Sequence, residues 1–171
     1  MEEDRRQRFE RLMLPHLGAA YNLARWLTRS DCDAEDVVQE AYLRAYRFFD
    51  SFHGEPRPWL LAVVRNTCFT WLKQHARREP AAPFDEAVHG GDVLTPEQLC
   101  ARKDTQQVLH KALEELPAEF REVVVLRELE GHSYKEIAAI AGIPLGTVMS
   151  RLTRARTRLQ EFLSDRMRKE W

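Results

Sequence analysis

Residues 133–159, SYKEIAAIAGIPLGTVMSRLTRARTRL, constrain this chain more than any other stretch. Ser133 is a favoured helix N-cap, and Glu136 lies three residues later, the pairing of a capping box. Ile137, Ala138 and Ala141 then share one apolar helical face. Gly142 stands where a short helix needs a left-handed exit, which a residue without Cβ adopts at no steric cost. Ile143 is placed to plug the gap between two helices. Pro144 suits the start of the next helix rather than its interior, because it has no N–H to donate. The stretch therefore predicts two helices joined by a tight turn, a helix-turn-helix.

The second of these helices has two unlike faces. Val148, Leu152, Ala155 and Leu159 recur at helical spacing and turn inward. Thr147, Arg151, Arg154 and Arg158 fall on another face, with Arg156 beside them and no acid between Pro144 and Leu159. A helix of this shape enters a DNA major groove. Arginines at its base-facing end read guanine edges and those along its flank hold phosphates. The charge is local: from residue 132 onward there are 8 Lys and Arg against 4 Asp and Glu, whereas residues 80–131 carry 5 against 11. With a net charge of −1 overall, this pattern favours site-directed contact over bulk polyelectrolyte binding.

The N-terminal half is also helical in period. Phe9, Leu12, Met13, Leu17, Ala20, Tyr21, Leu23, Ala24 and Leu27 describe one helix, bent or interrupted near Pro15. Asp33 is a candidate cap for a second helix, in which Val37, Val38, Ala41, Tyr42, Ala45, Phe48 and Phe49 form a broad apolar face. Asp36, Glu40, Arg44 and Arg47 form its polar face, open to solvent or to a protein partner, with Glu40 and Arg44 spaced to support each other. HGEPRP is a loop. A third helix comes next, with Trp59, Leu60, Val63, Val64, Thr67, Cys68, Trp71 and Leu72 inward and Arg65, Asn66, Lys73, His75, Arg77 and Arg78 outward. Basic side chains beside exposed aromatics bind single strands; Trp59 and Trp71 as core residues beside an ordinary basic surface is the other reading.

Residues 80–94 are rich in Pro, Ala, Gly and acids without a period and read as a flexible linker. Thr95-Pro96-Glu97-Gln98 starts a helix with Leu99, Val108, Leu109, Ala112, Leu113 and Leu116 inward. Pro117 begins another, whose core candidates are Phe120, Val123, Val124, Leu126 and Leu129 and which Gly131 ends. Residues 164–171 are expected to fray. The fold class is thus all-α, two small helical domains, 1–79 and 95–171, joined by a linker.

Nothing in the sequence asks for catalysis. There is no Gly-rich phosphate loop, HExxH pattern or nucleophile elbow, and the six histidines are scattered. Cys32, Cys68 and Cys100 lack metal-ligand spacing and are expected to be incidental. No metal, cofactor or small-molecule substrate is expected. No apolar run reaches membrane-spanning length and the N-terminus lacks a signal-peptide core, so a cytoplasmic protein is expected.

Three segments in order, residues 33–52, 58–78 and 113–159, resemble the extracytoplasmic-function sigma factors of bacterial RNA polymerase. The resemblance implies a non-enzymatic promoter-recognition subunit in the minimal two-domain form. Asp36, Gln39, Glu40 and Arg44 would face the polymerase core. His53, Arg57, Arg65, Asn66, Lys73, Arg77 and Arg78 would hold the unwound −10 element, with Trp59 and Trp71 as packing residues. Thr147, Ser150, Arg151 and Arg154 would lie closest to the −35 duplex, and Arg156 and Arg158 would touch phosphates or polymerase. The linker would thread near the RNA path, the free domains would be mobile, and an anti-sigma factor would hold the chain inactive. Two features depart from the pattern: Thr70 stands where many relatives carry an acid, and the −10 loop is short with two prolines. A dimeric helix-turn-helix regulator acting without polymerase is the rival reading. A structural helical adaptor is a third.

Overall fold

A computed structural model describes residues 1–76 and 96–169, the side chains of 96–104 excepted. The first block contains α1 (Glu2–Met13), α2 (Leu17–Thr28), α3 (Asp31–Arg47) and α4 (Pro56–His75). Pro15 sits in a single 3₁₀ turn, Leu14–His16, so the expected interruption separates α1 from α2. Ser30 rather than Asp33 caps α3: the Asp33 amide donates to Ser30 Oγ at 3.3 Å, and the helix begins at Asp31. Arg29 ends α2 at φ 60, a left-handed position held by a residue other than glycine.

α2, α3 and α4 pack on one another. Ala20, Ala24, Ala34, Ala41 and Ala45 are fully buried, and such small residues let helices approach closely around Met13, Leu23, Leu27, Leu60 and Leu61. Phe49 is buried, but Phe48 is 58% exposed, because α3 stops at Arg47 and a 3₁₀ turn swings the chain.

The second block contains α5 (Pro96–Glu115), α6 (Ala118–Val124), α7 (Tyr134–Ala141) and α8 (Leu145–Lys169). α6 continues into a π turn, Val125–Leu129, closed by the Glu130 amide on the Val125 carbonyl. The wider turn shifts the helical phase of the residues at its end. Leu129, expected inside, is 52% exposed for this reason. Leu109 is also exposed, and among the described side chains of α5 the first buried one is Ala112. α8 remains helical to Lys169 rather than fraying.

The blocks do not stand apart. α7 lies against α4 and α6 against α2, and the buried apolar residues of both blocks form one connected cluster. In this structure the two blocks are packed in a closed arrangement.

The capping box of α7 is complete: the Glu136 amide donates to Ser133 Oγ at 3.1 Å and the Ser133 amide to Glu136 Oε1 at 3.2 Å. Ser133→Ala should lower stability by about 1 kcal/mol and Ile137→Ala, at a fully buried site, by about 3 kcal/mol, both read by urea unfolding. His132 and the Ser133 amide hold the Glu136 carboxyl below its usual range. A depressed carboxyl stabilises the folded chain above the ordinary Glu range, and that contribution disappears as pH falls through the lowered value. Protection of the amides at the start of α7, taken relative to the intrinsic exchange rate at each pH, should therefore fall on acidification.

Candidate nucleic-acid interface

The helix-turn-helix assembles from α7 and α8. Gly142 takes φ 68 and closes α7, and the Ile143 amide reaches back to the Ala138 carbonyl at 3.1 Å. The Pro144 carbonyl accepts from Thr147 and Val148, so the proline sits at the mouth of α8, where its missing donor costs nothing. Val148, Leu152 and Ala155 are buried. Ser150 and Arg154 are exposed, with Thr147 and Arg151 half-buried.

The arginine face of α8 is divided in two. Arg156 donates to Glu128 Oε1 at 3.1 Å, and Arg158 lies 4.8 Å from the Phe120 ring centroid. Both are engaged by their own block, whereas Ser150 and Arg154 point outward. A helix of this build can present its first three turns to a groove while its fourth is braced from behind.

On α3, Asp36, Gln39 and Glu40 are exposed, and Arg44 donates to Glu40 Oε1 at 2.6 Å. Leu43, 69% exposed, lies among them, with Phe48 just beyond the helix. Two exposed apolar side chains framed by charges fit a protein-docking face. Leu43 was not singled out from sequence; its signal was an apolar residue off the buried stripe of Val37, Ala41 and Ala45.

Among the described residues, the side chains assigned to the −10 element are not gathered on one open surface. His53 is exposed, its Nδ1 3.0 Å from the Ser51 carbonyl. Asn66 and Lys73 are exposed, and Arg77 and Arg78 lie outside the described residues. Arg57 instead donates to Glu130 Oε2 at 2.7 Å and to the Glu130 carbonyl at 3.2 Å. Asn22 donates to the other Glu130 oxygen at 2.6 Å. Arg65 donates to Glu122 Oε1 at 2.5 Å and lies over the Phe69 ring. Trp59 packs edge-on to Phe52, and Trp71 stacks on His75 at 4.3 Å, both partly buried against the core.

Glu122 and Glu130, which hold these arginines, were likewise missed in the sequence. The available signal was Glu122 itself, a lone acid within the apolar run 120–126. Its side chain is fully buried, and burial pushes its carboxyl up despite Arg65. Arg121 is also buried. It donates to the Leu116 carbonyl at 2.8 Å, the Glu114 carbonyl at 3.3 Å and, across the seam, the Leu27 carbonyl at 3.2 Å. Its guanidinium thus sits at the C-terminal ends of α2 and α5, where helix dipoles favour a cation. Burial lowers its pKa to about 10, which leaves it charged at neutral pH. Beside it opens a cleft of about 490 Å³ lined by Arg29, Leu72, Lys111, Glu114 and Glu115.

Cys68 is buried, and burial, with Glu122 nearby, pushes its thiol up to about 12, so it is not a nucleophile. Cys32 is exposed, and Cys100 lies outside the described side chains. Among the described residues no group of His, Cys, Asp and Glu could hold a metal ion, and no helix is long and apolar enough to cross a membrane.

A basic helix-turn-helix carried beside a second helical block fits the class of DNA-directed transcription factors. Residues 12–78 match the family model for Sigma-70 region 2, and residues 106–159 match that for Sigma-70 region 4. The chain is 39% identical to the ECF RNA polymerase sigma-E factor of Escherichia coli K12, covering 80% of this chain and 77% of the relative. It is 36% identical to the Haemophilus influenzae counterpart, covering 85% and 81%. Among solved structures, the sigma factor RpoE in complex with the anti-sigma factor NepR from Bartonella quintana superposes with a TM-score of 0.75 at 30% identity, covering 92% of this chain and 98% of that one. CnrH in complex with the cytosolic domain of CnrY gives a TM-score of 0.66 at 26% identity, covering 94% and 90%. The chain belongs to the ECF sigma factors, which are transcription initiation factors and not enzymes.

Arg65→Ala leaves Glu122 buried without its cation and should cost on the order of 2–3 kcal/mol. Arg156→Ala removes an exposed pair with Glu128 and should cost less than about 0.5 kcal/mol. Equal denaturation midpoints for the two variants would contradict this assignment.

Proposed function

We propose that this chain binds core RNA polymerase through α3 and directs it to promoters by holding two DNA elements at fixed separation. Asp36, Gln39, Glu40 and Arg44, joined by the exposed Leu43 and Phe48, form the polymerase-facing surface. The loop after α3 and the α4 helix, with His53, Arg57, Arg65, Asn66, Lys73, Arg77 and Arg78, serve the unwound −10 strand. Thr147, Ser150, Arg151 and Arg154 on α8 serve the −35 duplex, with Arg156 and Arg158 behind them. The observation that carries this reading is that matches to regions 2 and 4 of one family occur in order on a single chain, the second ending in the arginine-bearing helix.

Mechanistically the role is binding without bond chemistry. Opening duplex costs a few kcal/mol per base step. Capture of unstacked bases and phosphates by the first block offsets part of that, while the second block fixes register. The protein acts in the cytoplasm. An anti-sigma factor is its expected regulator, because the Bartonella quintana relative is in complex with one and CnrH is held by the cytosolic domain of CnrY.

Promoter-specific transcription with core polymerase, with and without the chain, tests the reading. A start-site-specific product is expected only when the chain is present. A stable dimer that ignores core polymerase and occupies palindromic duplex would favour the rival regulator. Replacing Arg151 and Arg154 together by Ala should reduce selectivity for the −35 element by roughly tenfold or more, since each well-placed base contact discriminates by about 1–3 kcal/mol.

A further inference from the structure

Two of the cations assigned to the −10 strand are paired with carboxylates of the other block. Arg57 meets Glu130 at 2.7 Å and Arg65 meets Glu122 at 2.5 Å. Glu122 lies on α6 and Glu130 just beyond the π turn that continues it, so that turn sets where the second acid leaves the helix. Asn22 holds the second oxygen of Glu130, so this carboxylate is positioned from two sides by the first block. A carboxylate that accepts from arginine offers the same kind of charged acceptor as a backbone phosphate. One guanidinium donor cannot serve both.

We propose that Glu122 and Glu130 act as an internal stand-in for single-stranded DNA, keeping the free chain closed and its −10 surface occupied until the blocks part. The inference rests on the reading of Arg57 and Arg65 as DNA contacts. Closure also seats α7 on α4 and hangs Arg121 across to the Leu27 carbonyl, so all these contacts are given up together. The seam is suited to opening. Its central acid is fully buried and its carboxyl is pushed up in spite of Arg65, which marks a pair whose desolvation takes back much of its attraction.

The test compares the full wild-type chain with Glu122→Gln/Glu130→Gln, and with Glu2→Gln/Glu3→Gln, which removes the same charge from exposed positions on α1. Small-angle X-ray scattering reads closure, and binding of a short fluorescein-labelled single strand of mixed sequence across a salt series reads occupancy. The wild-type chain should be compact, near the radius of gyration of about 16 Å expected for its length. The seam variant should be larger and bind the strand roughly tenfold more tightly. It should also show a salt dependence steeper by about 1.4 in log–log slope, because each recovered phosphate contact contributes about 0.7. The α1 variant should match the wild type in radius and slope. Asn22→Ala/Glu130→Ala removes the carboxylate from Arg57 alone, leaving its bond to the main-chain carbonyl of residue 130, and should steepen the slope by about 0.7; it serves if circular dichroism shows the Glu122 variant unfolded. A wild-type chain that is already expanded overturns the proposal. So does a seam variant that expands with unchanged affinity and slope. Absence of start-site-specific transcription from every variant would sink the promoter reading instead, while scattering still reports whether the acids close the chain.

Discussion

Glu122 is out of reach of water, and the arrangement of the two blocks depends on Arg65 meeting it from the other half of the chain. An ionised carboxylate removed from solvent without a cation is among the costlier defects a small protein can carry. The pair therefore ties the register of α6 to that of α4. Arg121 repeats the logic with opposite sign, its charge dispersed over main-chain carbonyls at the ends of two helices. These buried polar groups sit within an apolar cluster that runs through both blocks, so they fix the geometry of a seam that apolar packing also holds.

The helix-turn-helix was legible in the sequence because each of its devices is local. Ser133 with Glu136, Gly142 and Pro144 act within one or two turns, and the structure uses each of them as its chemistry dictates. The alternation of Val148, Leu152 and Ala155 is likewise a one-helix property. What escaped the sequence was either a change of phase or a relation between distant parts. Leu129 faces outward because a π turn intervenes, and nothing in VVVLREL announces a fifth residue in the turn. Asp33 was read as the cap of α3, but Ser30 takes that place because α2 releases the chain at Arg29.

The site divided along the same line. The arginine face of α8 could be read from spacing, but its partition could not. Glu128 and Phe120, which engage Arg156 and Arg158, belong to another helix. Arg65 was recognisable as basic surface and Arg57 was singled out by the resemblance alone, yet their partners lie 57 and 73 residues away in sequence. Long-range ion pairs leave no periodic trace, and a lone acid inside an apolar helix is the faint mark they do leave.

Because one chain carries both blocks, each is always in the neighbourhood of the other, at an effective concentration on the order of millimolar for tethered modules. A macromolecule that needs the surfaces now turned into the seam must compete with that standing neighbour. The affinity it displays for the whole chain is its intrinsic affinity scaled by the fraction of time the seam is open. Residues such as Asn22, which hold Glu130 from within the chain, thereby tune how tightly the chain is bound by others.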